Sequence, residues 1–213
     1  MRHVWGTVNP MVDVDPLAKR REPEQERSRA GVAAILDAAA ALLDEQGIDQ
    51  ITMTAIAAGA GLSKAAVYRY FPNKAAVIHG LAQRAFDEDA ARVRNGLAVQ
   101  EGDGLELMLA GLRDYFDRHR AEPHRVQLRA AIRADPELAR LDLEDSRRNA
   151  RAIAAGLTER GAAVPESELV TRALLILELA DGVIRMASMV SAAEADELTE
   201  EFLGIVADRL ADL

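Results

Sequence analysis

Residues 51–74 read ITMTAIAAGAGLSKAAVYRYFPNK, and no other stretch of the chain restricts the fold as tightly. Thr52 and Ser63 are side chains that cap helix starts by accepting a backbone N–H bond. Each stands before a short run of helix formers, so two very short helices are predicted, over about 53–60 and 64–70. Gly61 lies between them, where a left-handed turn is cheap for glycine alone. Ala57, four residues earlier, is small enough to let two steeply crossing helices touch, and Ile56, Ala60, Leu62, Val67 and Tyr70 can close a small core around that contact. This is the packing pattern of a helix-turn-helix.

The charges around it point to an anion. Lys64 follows the cap Ser63, and Lys74 follows the cap Asn73. A cation in a first turn opposes the helix dipole, at a cost of a few tenths of a kcal/mol in isolation. The cost reverses if a phosphate sits at each helix start, where backbone N–H groups and a lysine clamp it together. Tyr68 lies one turn after Lys64 on the same face, and Arg69 follows it. Between Asp49 and Asp87 there is no acidic residue, whereas residues 95–213 carry the whole formal charge of −9. An acidic protein can therefore still present one locally basic head.

The remaining sequence is helical in its periodicity. Val32, Ile35, Leu36, Ala39, Leu42 and Leu43 recur at helical spacing up to Gly47. A long helix is predicted from Lys74 to about Arg94, with a loop from Asn95 to Gly104. Further helices run from Leu105 to before Pro123, from near Pro123, over 136–160, over 166–190 and over about 194–212. No segment alternates like a strand, and aromatics are only 4% of residues, so the class is all-α. The expected division is a flexible N-terminal arm over 1–27, a helix-turn-helix domain over 28–80 and a helical ligand-binding and dimerisation domain over 81–213. The absence of cysteine excludes disulfides, Cys-ligated zinc and thiol catalysis. No apolar run is long enough to span a membrane, and Asp13 and Asp15 stand where a signal peptide needs apolar residues. A cytoplasmic protein with no metal and no cofactor is expected.

Residues 28–80, with the pattern T-x-x-x-I-A-x-x-A-G-L-S-x-x-x-x-Y-x-Y-F-x-x-K from Thr52 to Lys74, resemble the DNA-binding region of the TetR family of bacterial transcriptional regulators. The resemblance implies a homodimer, with a C-terminal domain that binds a small molecule and dimerises through its last two helices. It implies that Thr52, Ser63, Tyr68 and Lys74 hold phosphates of a double-stranded operator. Lys64, Ala65, Ala66 and Arg69 would face the major groove. Ala65 and Ala66 depart from members with polar side chains there and offer only methyl contacts, as to thymine.

Residues 95–213 show no catalytic grouping. His119 and His124 are five apart across Pro123, off the spacing that pairs ligands on a helix. GAGLSKA lacks the sixth-position glycine and the preceding strand of a dinucleotide loop. The effector cavity implied by the resemblance has candidate apolar lining in Met108, Leu112, Tyr115, Phe116, Ile132, Leu177 and Met186. Its candidate polar groups are His119, Arg129, Arg133, Glu178 and Asp181. Glu178 and Asp181 interrupt an apolar helix, so each needs a partner such as Arg133 or Arg185, or a ligand. Gly182, Phe202 and Leu210 are assigned to a helix bundle between subunits; a monomer covered by its last helix is the alternative. For the whole chain the alternative is an all-helical enzyme or small-molecule-binding protein without DNA binding. Control of a DNA-binding regulator by a protein partner is a third reading.

Overall fold

The computed structural model describes residues 18–99 and 103–210. Helix α1 (Ala18–Gln46) is followed by a single 3₁₀ turn (Ile48–Gln50), then α2 (Met53–Gly59) and α3 (Lys64–Tyr70). After them come α4 (Lys74–Val99), α5 (Gly104–Ala121), α6 (His124–Ala134), α7 (Pro136–Glu159), α8 (Glu166–Ala187) and α9 (Ala192–Arg209). There is no strand among the described residues.

Two cores organise these helices. The first joins Ile35, Ala39 and Leu43 of α1, Ile56 and Ala57 of α2, Val67 of α3, and Val77, Leu81 and Phe86 of α4. It also takes in Leu128 and Ile132 of α6 and Leu138 of α7, so the N-terminal head rests on helices from the C-terminal half. The second core packs Met108, Leu112 and Phe116 of α5 with Ile153 and Leu157 of α7, the inner face of α8, and Phe202, Val206 and Leu210 at the C-terminal end.

The α2–α3 corner forms as the local sequence requires. Thr52 Oγ1 accepts from the Ala55 N–H at 3.1 Å, and Ser63 Oγ accepts from the Ala66 N–H at 3.1 Å. At the end of α2 the Gly61 N–H donates to the Ala58 carbonyl and the Leu62 N–H to the Ala57 carbonyl. These bonds close a Schellman turn, with Gly61 at a φ of 64°.

Two boundaries differ from the sequence reading. Helix α1 begins at Ala18, inside the segment read as an arm; residues 1–17 lie outside the described residues, as does Trp5. Residues 18–29 are rich in Lys, Arg, Glu and Gln, which are good helix formers but supply no apolar stripe for periodicity to detect. Helix α4 runs on through Asn95 and Gly96 to Val99, where a loop was expected. Tertiary contacts hold this last turn. Leu97 packs against Gly156 of α7 so closely that a β-carbon there would meet Leu97 Cδ2 at 2.5 Å. Arg160 Nη2 also donates to the Leu97 carbonyl at 2.6 Å.

Because Gly61 alone holds a left-handed conformation in the corner, Gly61→Ala is expected to destabilise the fold by about 1 kcal/mol. In urea denaturation the midpoint should fall while the slope stays unchanged.

Candidate nucleic-acid interface and effector cavity

Helix α3 buries Val67 in the head core, packs Tyr70 against it, and turns its other face outward. Ser63, Lys64, Ala65, Tyr68 and Arg69 are exposed, and Ala66 is half-buried. The Lys64 ammonium lies 5.9 Å from the centre of the Tyr68 ring, and the Arg69 guanidinium 5.6 Å from that of Tyr70. Tyr70 is wedged toward α1: a β-carbon at Gly31 would meet its hydroxyl at 3.0 Å. Thr52, exposed at the start of α2, flanks this face. Lys74 is partly buried, and its Nζ donates to the Ile48 carbonyl at 2.9 Å, tying the start of α4 to the 3₁₀ turn. An ammonium has three donors, so two N–H bonds stay available there. The surface is a short protruding helix with a cation at each end and two helix N-termini alongside.

Behind the head a cavity of about 140 Å³ opens between α4, α5, α7 and α8. Of the sequence candidates, Met108, Leu112, Tyr115, Arg129, Leu177, Glu178 and Asp181 line it. Five others do not. Phe116 is buried in the second core, edge-on to Phe202 with ring centres 5.9 Å apart. Ile132 belongs to the head core. Arg133 stands outside the lining and ion-pairs with Asp181. Met186 is on the outer surface of α8. His119 is buried beside the lining, its Nδ1 bonded to the Tyr115 carbonyl at 2.8 Å. Burial lowers its pKa from 6.5 to about 4, so the ring is neutral and Nδ1–H is the donor.

The groups that sequence reading missed are the buried charges of the wall. Asp89 of α4 accepts from Arg118 Nη1 at 2.7 Å, from Arg125 Nη1 at 3.4 Å and from Arg129 Nη2 at 3.4 Å. Arg129 also donates to Asp142 and, at 3.1 Å, to the Tyr115 hydroxyl. Burial works against the Arg129 charge, but Tyr115 and the carboxylates Asp142, Asp181 and Asp89 hold its pKa above the ordinary value. Burial raises the carboxyl pKa of Asp142 and of Asp145. Asp145 accepts from Arg148 at 2.6 Å and from Asn149 at 3.1 Å. A signal for the α7 wall was present: Leu138, Asp142, Asp145, Asn149 and Ile153 follow one another at spacings of three and four. An apolar stripe whose middle turns polar marks a buried polar lining.

The match to known families follows the same division. A family model described as "Bacterial regulatory proteins, tetR family" matches residues 35–81. A second, "Tetracyclin repressor-like, C-terminal domain", matches residues 107–213, half of the chain. The chain belongs to the TetR family. Its head is the DNA-binding domain of a transcriptional regulator of that family. The HTH-type transcriptional regulator AlkX of Mycobacterium tuberculosis is 31% identical over 138 residues, and the match spans 64% of each chain. A TetR-family transcriptional regulator from Streptomyces coelicolor superposes with a TM-score of 0.62 at 28% identity, covering 84% of this chain and 99% of that one. SmeT, the repressor of the Stenotrophomonas maltophilia multidrug efflux pump SmeDEF, has a TM-score of 0.66 at 19% identity, covering 84% and 89%, a likeness of fold.

Neutral His119 makes stability of this TetR-family protein depend on pH. An unfolded chain takes up the imidazole proton near pH 6.5, but the folded one does so only near pH 4. Stability is therefore lost as pH falls through that window, by up to about 3 kcal/mol. His119→Gln, which keeps a donor for the Tyr115 carbonyl, should flatten this part of a Tm-against-pH curve.

Proposed function

We propose that the protein is a repressor that binds a double-stranded operator as a homodimer and releases it when a small molecule occupies the cavity. The observation that carries this reading is helix α6. Its Leu128 and Ile132 lie in the core of the DNA-binding head, while its Arg129 lines the cavity. A ligand that rearranges the Arg129 ion pairs thereby acts on the floor of the head. Such a ligand must favour the rearranged state by its differential affinity. One protein of this fold, SmeT, is known in complex with triclosan.

On DNA, Thr52, Ser63, Tyr68 and Lys74 are assigned to phosphates, and Lys64, Ala65, Ala66 and Arg69 to base edges in the major groove. Two such heads must sit about 34–36 Å apart to read successive turns. We read the chain as a regulator and not an enzyme, in keeping with the matching family model and the curated relative, both of transcriptional regulators.

On the last two helices, which the family resemblance gives as the dimer surface, Phe202 and Leu210 are not available to a partner. Phe202 is only 8% exposed and Leu210 only 1%, both packed within their own subunit. The apolar stripe left open is on α8, where Leu175 is 57% and Leu179 59% exposed, continued by Met186 and by Ile205 of α9. Gly182 lies between Leu179 and Met186, with open space where a β-carbon would be. A second copy laid along this stripe would bury it by close helix approach.

Two tests apply, both on an operator selected by the protein from random-sequence duplexes. Leu175→Glu with Leu179→Glu should sediment as a monomer and lose operator affinity; a variant that stays dimeric shows the surface to be wrong. Lys74→Ala should weaken binding to all duplexes about equally and reduce the salt slope by about one unit. A changed sequence preference with an unchanged slope would remove Lys74 from the phosphate contacts.

A further inference from the structure

The two cations of α3 stand at different places on its surface. Val67 is the residue that α3 buries in the head core, so the side of the helix opposite it is the one presented outward. At about 100° per residue, Ala65 and Arg69 each lie roughly 160° from Val67, on the midline of that outward side. They are one turn apart, and both are exposed. Lys64 is only about 60° from Val67 around the helix and stands at the flank, beside Tyr68. Ala65 projects a single methyl group, so of the two midline side chains Arg69 alone carries hydrogen-bond donors.

Arg69 is at once unclaimed and held. It makes no ion pair or side-chain hydrogen bond with another described residue, and no acidic residue lies between Asp49 and Asp87 to divert it. Its guanidinium carbon lies 5.6 Å from the centre of the Tyr70 ring. That ring packs against the head core and is braced by α1, where a β-carbon at Gly31 would come within 3.0–3.2 Å of its atoms. A guanidinium meets a ring with its flat face, while its N–H donors point outward around its edge. An arginine placed in this way keeps its fork free and gives up part of its rotamer freedom before DNA arrives. On the major-groove edge guanine presents two acceptors, N7 and O6, that match such a fork. Adenine pairs its N7 with an N–H donor, for which a guanidinium has no acceptor. We propose that Arg69 sets base specificity by forking onto N7 and O6 of one guanine in each operator half-site, and that Tyr70 is a positioning residue that holds the fork in place. This rests on the operator-binding reading above.

The test uses the full-length protein and the operator it selects from random-sequence duplexes, with each base pair then changed in turn in both half-sites. At one G·C pair, replacement by A·T should lower the affinity of the unaltered protein by about tenfold or more. Arg69→Gln should lose that discrimination, keep it at every other pair and leave the salt slope unchanged. Tyr70→Leu should weaken discrimination at the same pair, whereas Tyr70→Phe, which keeps the ring, should retain it. The quantity read is the ratio of affinities for the two duplexes; a smaller folded fraction lowers both alike and leaves their ratio as it was. The base assignment is overturned if Arg69→Gln discriminates at every guanine as before. It is equally overturned if that variant weakens binding to all duplexes alike and reduces the salt slope by about one unit, the mark of a phosphate contact. A Tyr70→Leu variant with the original ratio overturns the positioning role. If the unaltered protein selects no sequence at all, the operator-binding reading itself fails.

Discussion

The arrangement depends on one buried carboxylate. Asp89, in the middle of α4, faces Arg118 of α5 and Arg125 and Arg129 of α6. Three guanidiniums gathered in a half-apolar interior would repel one another and carry a heavy desolvation cost without it. Glu88, Glu122, Asp114 and Asp142 share the remaining charge from the outside. Helices α4, α5, α6 and α7 are thus held in register by directional polar bonds at the level where the two apolar cores meet.

This placement separates fixed parts from movable ones. Apolar packing is non-directional and resists rearrangement because close-packed interiors have few alternative states. Ion pairs shared among several partners have alternatives close in energy, since a guanidinium can trade one carboxylate for another. The cavity wall is built from such pairs, whereas the head is built from Ile35, Leu43, Ile56, Val67 and Leu81. Under the proposed gating, a ligand entering the wall would act on these exchangeable pairs and not on the apolar packing of the head.

The head was legible in the sequence because its determinants are local. Caps, a left-handed glycine, a small residue at the crossing and the lysines after the caps lie within 24 residues, and each acts on near neighbours. The cavity was legible in part. Glu178 and Asp181 were conspicuous as charges in an apolar helix, but Asp89 sits in the ordinary-looking run Asp87-Glu88-Asp89 and only its three-dimensional partners single it out. The extension of α4 past Asn95 depends on Gly156 and Arg160, some sixty residues distant. Phe202 and Leu210 show the same limit: an apolar stripe says that a face is covered, not whether its own subunit or another covers it.

The acid-free window between Asp49 and Asp87 and the net charge of −9 on residues 95–213 make the molecule an electric dipole. Helix α4 has 26 residues, about 39 Å at 1.5 Å per residue, and its start lies in the head. Near a duplex the body is pushed away and the head drawn in, so the field turns the protein toward its productive orientation before contact. Collisions in which the acidic end leads are discouraged. The uneven charge thus also narrows the rotational search, an advantage that fades as salt shortens the reach of the field.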